Sequence, residues 1–174
     1  MKLNYLLIFI SGIFALSLQE AYNESSSFNH YDKYVVLDSN TIYTGGLGIY
    51  EGFVYINCNE SIIDLEGGNG IWIYSDEQYP SSLDIKYCTI TNGIYFGLSF
   101  GGNATGNIIN CNLIETNFGL KLFDESSVSL SARFEKPYHM HGSIGPSAGC
   151  ALFEKTYLVT RRFSRLSMSF HLKK

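Results

Sequence analysis

Short apolar segments recur along the middle of this chain, and their spacing is the main structural signal in the sequence. Three of the segments end in cysteine: Val54–Cys58, Leu83–Cys88 and Asn107–Cys111. A second apolar strand follows each of them after a polar turn, and these strands begin at Gly70, Gly97 and Gly119. The glycines are 27 and 22 residues apart. A repeat of two short strands at this period predicts a solenoid, in which each turn buries its apolar face against its neighbours.

The apolar positions within each strand also predict a bend. The inward positions are 85, 88 and 90 in Ile85–Ile90, and 108, 111 and 113 in Ile108–Leu113. A straight strand alternates with a period of two, so a step of three requires the chain to turn. Asn57 and Asn110 directly precede their cysteines, and asparagine tolerates the left-handed backbone region. Tyr87 occupies that place in the middle coil, so we expect either a different bend there or strain.

The runs Ile56–Cys58, Cys88–Ile94 and Ile109–Leu113 resemble the right-handed parallel β-helix repeat. Pectate lyases, polygalacturonases and many exported surface proteins share this fold. The resemblance covers residues 34–130 at most and implies an all-β chain, a right-handed parallel β-helix of about four coils. Full members usually have more coils and a cap, so the chain is similar to a short or truncated member. The resemblance is specific for the fold and unspecific for function.

The remaining segments have a different character from the repeat. Residues 1–17 read as a signal peptide, with basic Lys2, an apolar stretch and the small-x-small pattern of Ala15-Leu16-Ser17. The alternative is an uncleaved anchor, for which the apolar stretch is short. Residues 18–33 form a polar lead-in, and no stretch shows sustained helical periodicity. We therefore expect a secreted or cell-surface protein with no stable membrane span after signal cleavage.

The charge changes sign near residue 130. Residues 1–130 contain 4 Lys and Arg against 14 Asp and Glu, a net charge of −10, whereas residues 131–174 contain 8 against 2, a net charge of +6. The acidic body argues against a nucleic-acid partner. The basic tail, 131–174, is open to several readings: a cap, a partner-binding arm, a disordered segment or sequence from a disrupted reading frame.

The cysteines of the repeat are expected to stack. Cys58, Cys88 and Cys111 hold one repeat position, so they should lie about 4.8 Å apart in successive coils. Because three stacked cysteines cannot all pair, and because free cysteine is a common buried residue, a ladder of buried thiols is favoured over a disulfide. Cys150, in the tail, has no assigned role.

Candidate catalytic and metal-binding groups are sparse, so no catalytic residue, metal or cofactor is predicted. Residues 34–130 contain neither Arg nor His, and their only basic residues are Lys86 and Lys121. Asp64-Leu65-Glu66 and Asp84-Ile85-Lys86 could form a catalytic pair or a cation site, but an ordinary solvated face is favoured. His139-Met140-His141 has no third metal ligand placed near it.

One row of outward positions suggests a binding surface. The alternation of the second strands turns Trp72, Ser99 and Lys121 outward at equivalent positions, so they should line up across the coils. An exposed tryptophan beside polar groups can hold the face of a sugar ring. The predicted function is a non-catalytic exported interaction module that binds extracellular polysaccharide or a cell-surface protein. The alternatives are a β-helix polysaccharide lyase or glycoside hydrolase, and a truncated fragment of a larger surface protein.

Overall fold

A computed structural model describes residues 16–135, 157–162 and 165–169, with side chains described for residues 16–130. In chain order the elements are β1 (Leu16–Ser17), α1 (Leu18–Glu24), β2 (Lys33–Val36), β3 (Ile42–Thr44), β4 (Leu47–Ile49), β5 (Gly52–Asn57), β6 (Ile62–Asp64), β7 (Ile71–Ser75), β8 (Ser81–Lys86), β9 (Thr89–Thr91), β10 (Gly93–Gly102), β11 (Thr105–Ile114), β12 (Thr116–Leu122), β13 (Ser127–Glu135), β14 (Tyr157–Arg162) and β15 (Arg165–Ser169).

These strands form a parallel β-solenoid of about five turns. One stack runs β2-β5-β8-β11-β13, and a second runs β1-β3-β6-β9 and joins the first in the long strand β11. A third stack, β4-β7-β10-β12, forms a separate sheet. The predicted β-solenoid is therefore confirmed, with about five turns rather than about four.

The core consists of columns of apolar side chains that run through successive turns. Ile56, Ile85, Ile108 and Leu130 occupy one column, and each is at most 2% exposed. A second column contains Ile71 and Leu98, which are also fully buried. The predicted inward positions of both cysteine-containing segments are confirmed as buried. Burying one such aliphatic side chain contributes about 1.5–3 kcal/mol, so the columns are the main stabilising feature of the stack.

The predicted bend is confirmed in two of the three coils. Asn110 has a φ of 51° and Tyr87 has a φ of 55°, both in the left-handed region. In the first coil the prediction for Asn57 is wrong, because the left-handed residues there are Asn59 and Glu60. The Asn57 side chain instead accepts a hydrogen bond from the Asn59 backbone N–H at 3.1 Å. This side-chain-supported turn moves the bend to the far side of Cys58.

The predicted thiol ladder is only partly correct. All three cysteines are buried and successive in the stack, but Cys58 and Cys88 form a disulfide, and only Cys111 is free. The Cα atoms of Cys58 and Cys88 are 4.9 Å apart. The distance between neighbouring stacked strands lies inside the range of Cα–Cα distances that a disulfide spans. Two stacked cysteines can therefore be either free thiols or a disulfide. Cys150 lies outside the described residues.

Additional elements are found at both ends of the solenoid. At the first turn α1 buries Leu18, and the Ser17 hydroxyl accepts a hydrogen bond from the Glu20 N–H at 3.3 Å. This short helix was not expected from the sequence. At the other end β13 pairs with β11 as far as Glu135, five residues beyond the predicted end of the coils. The antiparallel hairpin β14-β15 then pairs with residues 127–130 of β13.

No helix among the described residues is long and apolar enough to cross a membrane.

Candidate binding surface and groove

The predicted row of outward residues lies in register. Ser99 pairs with Trp72 on one side and with Lys121 on the other. Trp72 is 46% exposed, whereas Ser99 is only 2% exposed between its larger neighbours. The Lys121 ammonium lies 5.1 Å from the centre of the Phe118 ring and 5.7 Å from that of Phe123. The alignment is therefore as predicted, but a ligand on this face would meet Trp72 and Lys121 rather than Ser99.

Two tyrosines extend the surface around Trp72. Tyr50 is 57% exposed and Tyr74 is 39% exposed, and the Tyr50 and Trp72 ring centres are 6.3 Å apart with a tilt of 59°. We call Tyr50, Trp72 and Tyr74 the aromatic platform. It lies on the outer face of the sheet that contains β4, β7 and β10.

Glycines in the neighbouring turns allow these rings to lie close to the sheet. A Cβ atom on Gly48 would lie 2.8 Å from Cε2 of Tyr50. A Cβ atom on Gly101 would lie 3.2 Å from Cδ2 of Tyr74 and 3.8 Å from Nε1 of Trp72. The glycines therefore leave room for the Tyr50 and Tyr74 rings, and each exposed ring of the platform can stack against one face of a ring-shaped ligand.

A groove lies on a different face, across the stack of β5, β8, β11 and β13. Its volume is about 390 Å³, within the range of small-ligand sites. Outward residues from successive turns line its floor in two register rows. The first row contains Phe53, Ser82, Thr105 and Ser127, and the second contains Asp84, Asn107 and Ser129. His30 and Tyr31, from the segment between α1 and β2, also line the groove.

Asp84 is the centre of a hydrogen-bond network in this groove. Its Oδ2 accepts the Tyr31 hydroxyl at 2.6 Å. Its Oδ1 accepts the backbone N–H of Asn107 at 3.0 Å and the side-chain Nδ2 of Asn107 at 2.7 Å. Both carboxylate oxygens are thus occupied, and their role is to hold the phenol and the amide in place. Desolvation by burial, followed by the bond to Asp84, raises the pKa of Tyr31, so its hydroxyl remains protonated at neutral pH.

Stacked tyrosines support the Tyr31 end of the groove. The Tyr31 ring centre is 5.1 Å from that of Tyr55, which is itself stacked on Tyr34 at 4.5 Å with an angle of 13°. The Lys86 ammonium lies 5.0 Å from the centre of the Tyr55 ring. These contacts fix the wall of the groove. Tyr34 and Tyr55 are register partners in successive turns, whereas Tyr31 lies outside the repeat.

The other candidate groups do not assemble into a catalytic or metal site within the described residues. Asp64 accepts the Glu66 backbone N–H at 2.8 Å and the Asn92 side chain at 2.9 Å, so it stabilises a turn. No group of three His, Cys, Asp or Glu side chains in the described part of the chain could hold a metal ion. The segment His139-Met140-His141 lies outside the described residues.

The sequence reasoning missed the groove, although part of its signal was visible. Asp84 was singled out, but as part of a solvated face. Aligning the turns by register would have shown hydroxyl residues at 82, 105 and 127 one step outside the buried row. The Tyr31 contact had no such signal, since Tyr31 is 53 residues from Asp84 and belongs to the non-repetitive lead-in.

Comparisons of the chain with protein-family models, with curated proteins and with solved structures found no match. The resemblance to the parallel β-helix therefore concerns the fold, and membership of a pectate-lyase-like family does not follow from it.

Proposed function

We propose that this protein is a non-catalytic, secreted or cell-surface β-solenoid that binds polysaccharide through the aromatic platform. The observation that carries the proposal is the set of three exposed rings, Tyr50, Trp72 and Tyr74, on one face of the sheet, with glycines beside Tyr50 and Tyr74. Contiguous exposed apolar patches that are rimmed by polar residues mark contact surfaces. Each exposed ring can stack against the flat face of one sugar ring in an extended chain.

The disulfide supports the proposed location. Cys58 and Cys88 are bonded in the core, and disulfides persist mainly in proteins that leave the reducing cytosol. The apolar N-terminal pattern of residues 1–17 points the same way.

The arrangement of charged groups favours binding over cleavage. Most glycoside hydrolases use two carboxyl groups across the scissile bond. Among the described side chains, Asp84 is the one carboxylate that lines the groove, and both of its oxygens already accept hydrogen bonds. The part of the lining whose side chains are described also contains no Lys or Arg that could remove a proton from a uronate ring.

Replacement of Trp72 tests the proposal. Sedimentation with insoluble polysaccharides should deplete the wild-type protein from solution, and Trp72→Ala should weaken this binding about tenfold or more, a loss of about 1.4 kcal/mol. The matched control is Ile109→Ala, which removes a 42% exposed apolar side chain from a different stack. Equal binding by both variants and the wild type would exclude the platform as the binding surface.

A further inference from the structure

We infer that the groove is a second binding site, separate from the aromatic platform, for a single chain of a neutral, hydroxyl-rich glycan. The platform contains no residue that lines the groove, and the two lie on different stacks of the solenoid. The inference therefore does not rest on the proposed role of Trp72.

The chemistry of the lining points to hydroxyl groups as the ligand. Ser82, Thr105 and Ser127 each present a hydroxyl that both donates and accepts hydrogen bonds. Asn107 uses one amide hydrogen on Asp84, which leaves its second amide hydrogen and its Oδ1 for a ligand. Sugar hydroxyls are also donors and acceptors, so each can pair with such a group in either direction.

The register of the turns sets the direction of the ligand. The polar side chains repeat from β8 to β11 to β13, at the spacing of neighbouring strands, about 4.8 Å. A linear glycan that lies along the solenoid axis, across the strands, would place about one sugar ring over each turn. The groove spans four strands, or about 14 Å, which suits a short run of sugar rings.

The charges select a neutral chain over an anionic one. Among the residues whose side chains the structure describes, the lining contains no Lys or Arg, and Asp84 supplies a negative charge that is held in place by three hydrogen bonds. Residues 16–130 contain 3 Lys and Arg against 14 Asp and Glu, a net charge of −11. The charge of residues 16–130 would therefore repel a uronate polymer but not a neutral glycan.

Titration of soluble oligosaccharides into the full-length protein tests the inference. The panel contains neutral gluco-, manno- and xylo-oligosaccharides and, as the charged comparison, oligogalacturonate. We expect at least one neutral oligosaccharide to bind and oligogalacturonate not to bind. In the unmodified protein, the bound sugar should shift the NMR signal of the Asn107 side-chain amide and leave that of the Trp72 indole N–H in place.

Two asparagines on the same strand provide matched variants. Asn107→Ala should weaken binding of the neutral oligosaccharide about tenfold or more, because the amide contacts the ligand. Asn112→Ala removes an equally exposed asparagine from β11, outside the groove, and should leave binding unchanged. If Asn107→Ala does not fold, Thr105→Val is the second variant. It removes the hydroxyl of an exposed residue but keeps the shape and strand propensity of its side chain, and it should also weaken binding.

Three results would overturn the inference. The first is preferential binding of oligogalacturonate, and the second is the absence of binding by every neutral member of the panel. The third is binding that shifts the Trp72 signal and is unaffected by Asn107→Ala and Thr105→Val. Loss of binding to insoluble polysaccharide in Trp72→Ala, with groove binding intact, would show that the two sites are independent.

Discussion

At the scale of single residues, the bends show how the sequence specifies the coil and where it does so poorly. Asn110 and Tyr87 adopt nearly the same left-handed φ, 51° and 55°, at equivalent places in successive turns. Asparagine visits this region readily, whereas other non-glycine residues pay roughly 1–2 kcal/mol there. The backbone N–H of Tyr87 still donates to the Ile109 carbonyl at 3.0 Å, so the stack holds the residue in this conformation.

Replacement of Tyr87 by asparagine should therefore stabilise the protein. The Tyr87 side chain is 42% exposed and its ring lies 5.6 Å from the Lys86 ammonium, so some contact is lost. Because relief of the left-handed φ exceeds this loss, Tyr87→Asn should raise the free energy of unfolding by up to about 1 kcal/mol. Asn110→Val should lower it by a similar amount or more, because a β-branched residue resists positive φ. Chemical denaturation of the two variants measures both changes. A destabilised Tyr87→Asn would show that the φ of residue 87 is not the source of strain.

The free cysteine gives a pH dependence with a defined sign. Burial, its largest cause, raises the pKa of the Cys111 thiol from 9.0 to about 11. Between these values the unfolded thiol loses its proton while the native thiol keeps it, so the native state binds more protons. The contribution of the protonated thiol to stability is therefore complete below pH 9. As the pH rises from 9 to 11, the free energy of unfolding should fall by about 2 kcal/mol.

Comparison of wild type with Cys111→Ala measures this contribution, because the raised pKa values of Tyr22 and Tyr31 affect both proteins alike. The free energy of unfolding should fall more steeply from pH 9 to pH 11 in the wild type than in the variant. Parallel curves would show that Cys111 ionises equally in the native and unfolded states.

Peptide mapping without reduction should recover Cys58 linked to Cys88.

At the scale of the elements, the sequence repeat predicted the register of the second strands but not that of Asn57, which pairs with Lys86 rather than with Tyr87. The proposed equivalence of Ile71, Leu98 and Leu120 is the pairing found in the sheet. Apolar periodicity determines which residues face the core, so it also determines which positions align. It does not determine how two aligned side chains react or which distant segment covers a face. For that reason the Cys58–Cys88 bond and the contact of Tyr31 with Asp84 could not be predicted from the pattern.

Two adjacent glycines at the end of β10 should separate stability from binding. Gly102 has a φ of +64°, and a Cβ atom there would collide with the Ser75 carbonyl oxygen. Gly102→Ala should therefore lower the free energy of unfolding by roughly 2 kcal/mol. Gly101→Ala should cost less stability but displace the ring of Tyr74, which a Cβ atom would approach to 3.2 Å, and so weaken binding to insoluble polysaccharide. Thermal unfolding measures the stability of the two variants, and sedimentation measures their binding. A Gly101→Ala variant that is less stable than Gly102→Ala would contradict the separate roles given to the two glycines.

At the scale of the whole molecule, β13 ends the parallel stack, and part of the basic tail pairs with its outer edge. The hairpin β14-β15 pairs with residues 127–130 of β13, which would otherwise present an unpaired strand edge. Exposed edges favour association with other strands. Of the readings that the sequence left open for the tail, this pairing favours a cap. Its basic composition, net +6 against −10 for residues 1–130, is compatible with contact to the acidic body.

A chain that ends at Glu135 should therefore self-associate. Size-exclusion chromatography coupled to light scattering should show oligomers for the truncated protein at concentrations where the full chain is monomeric. The cause is the free edge of β13 rather than lost charge, so raising the salt concentration should not restore the monomer. A truncated protein that remains monomeric and keeps its melting temperature would show that residues 136–174 are not a cap.

The central claim is that this solenoid binds polysaccharide without cleaving it. The most direct measurement incubates the purified full-length protein with a panel of insoluble and soluble polysaccharides, including polygalacturonate. Bound protein, new reducing ends and unsaturated products are quantified in the same samples. We expect depletion of the protein onto at least one neutral polysaccharide, with no reducing ends or unsaturated products above a heat-denatured control. Release of cleavage products, or no binding to any polysaccharide in the panel, would contradict the account.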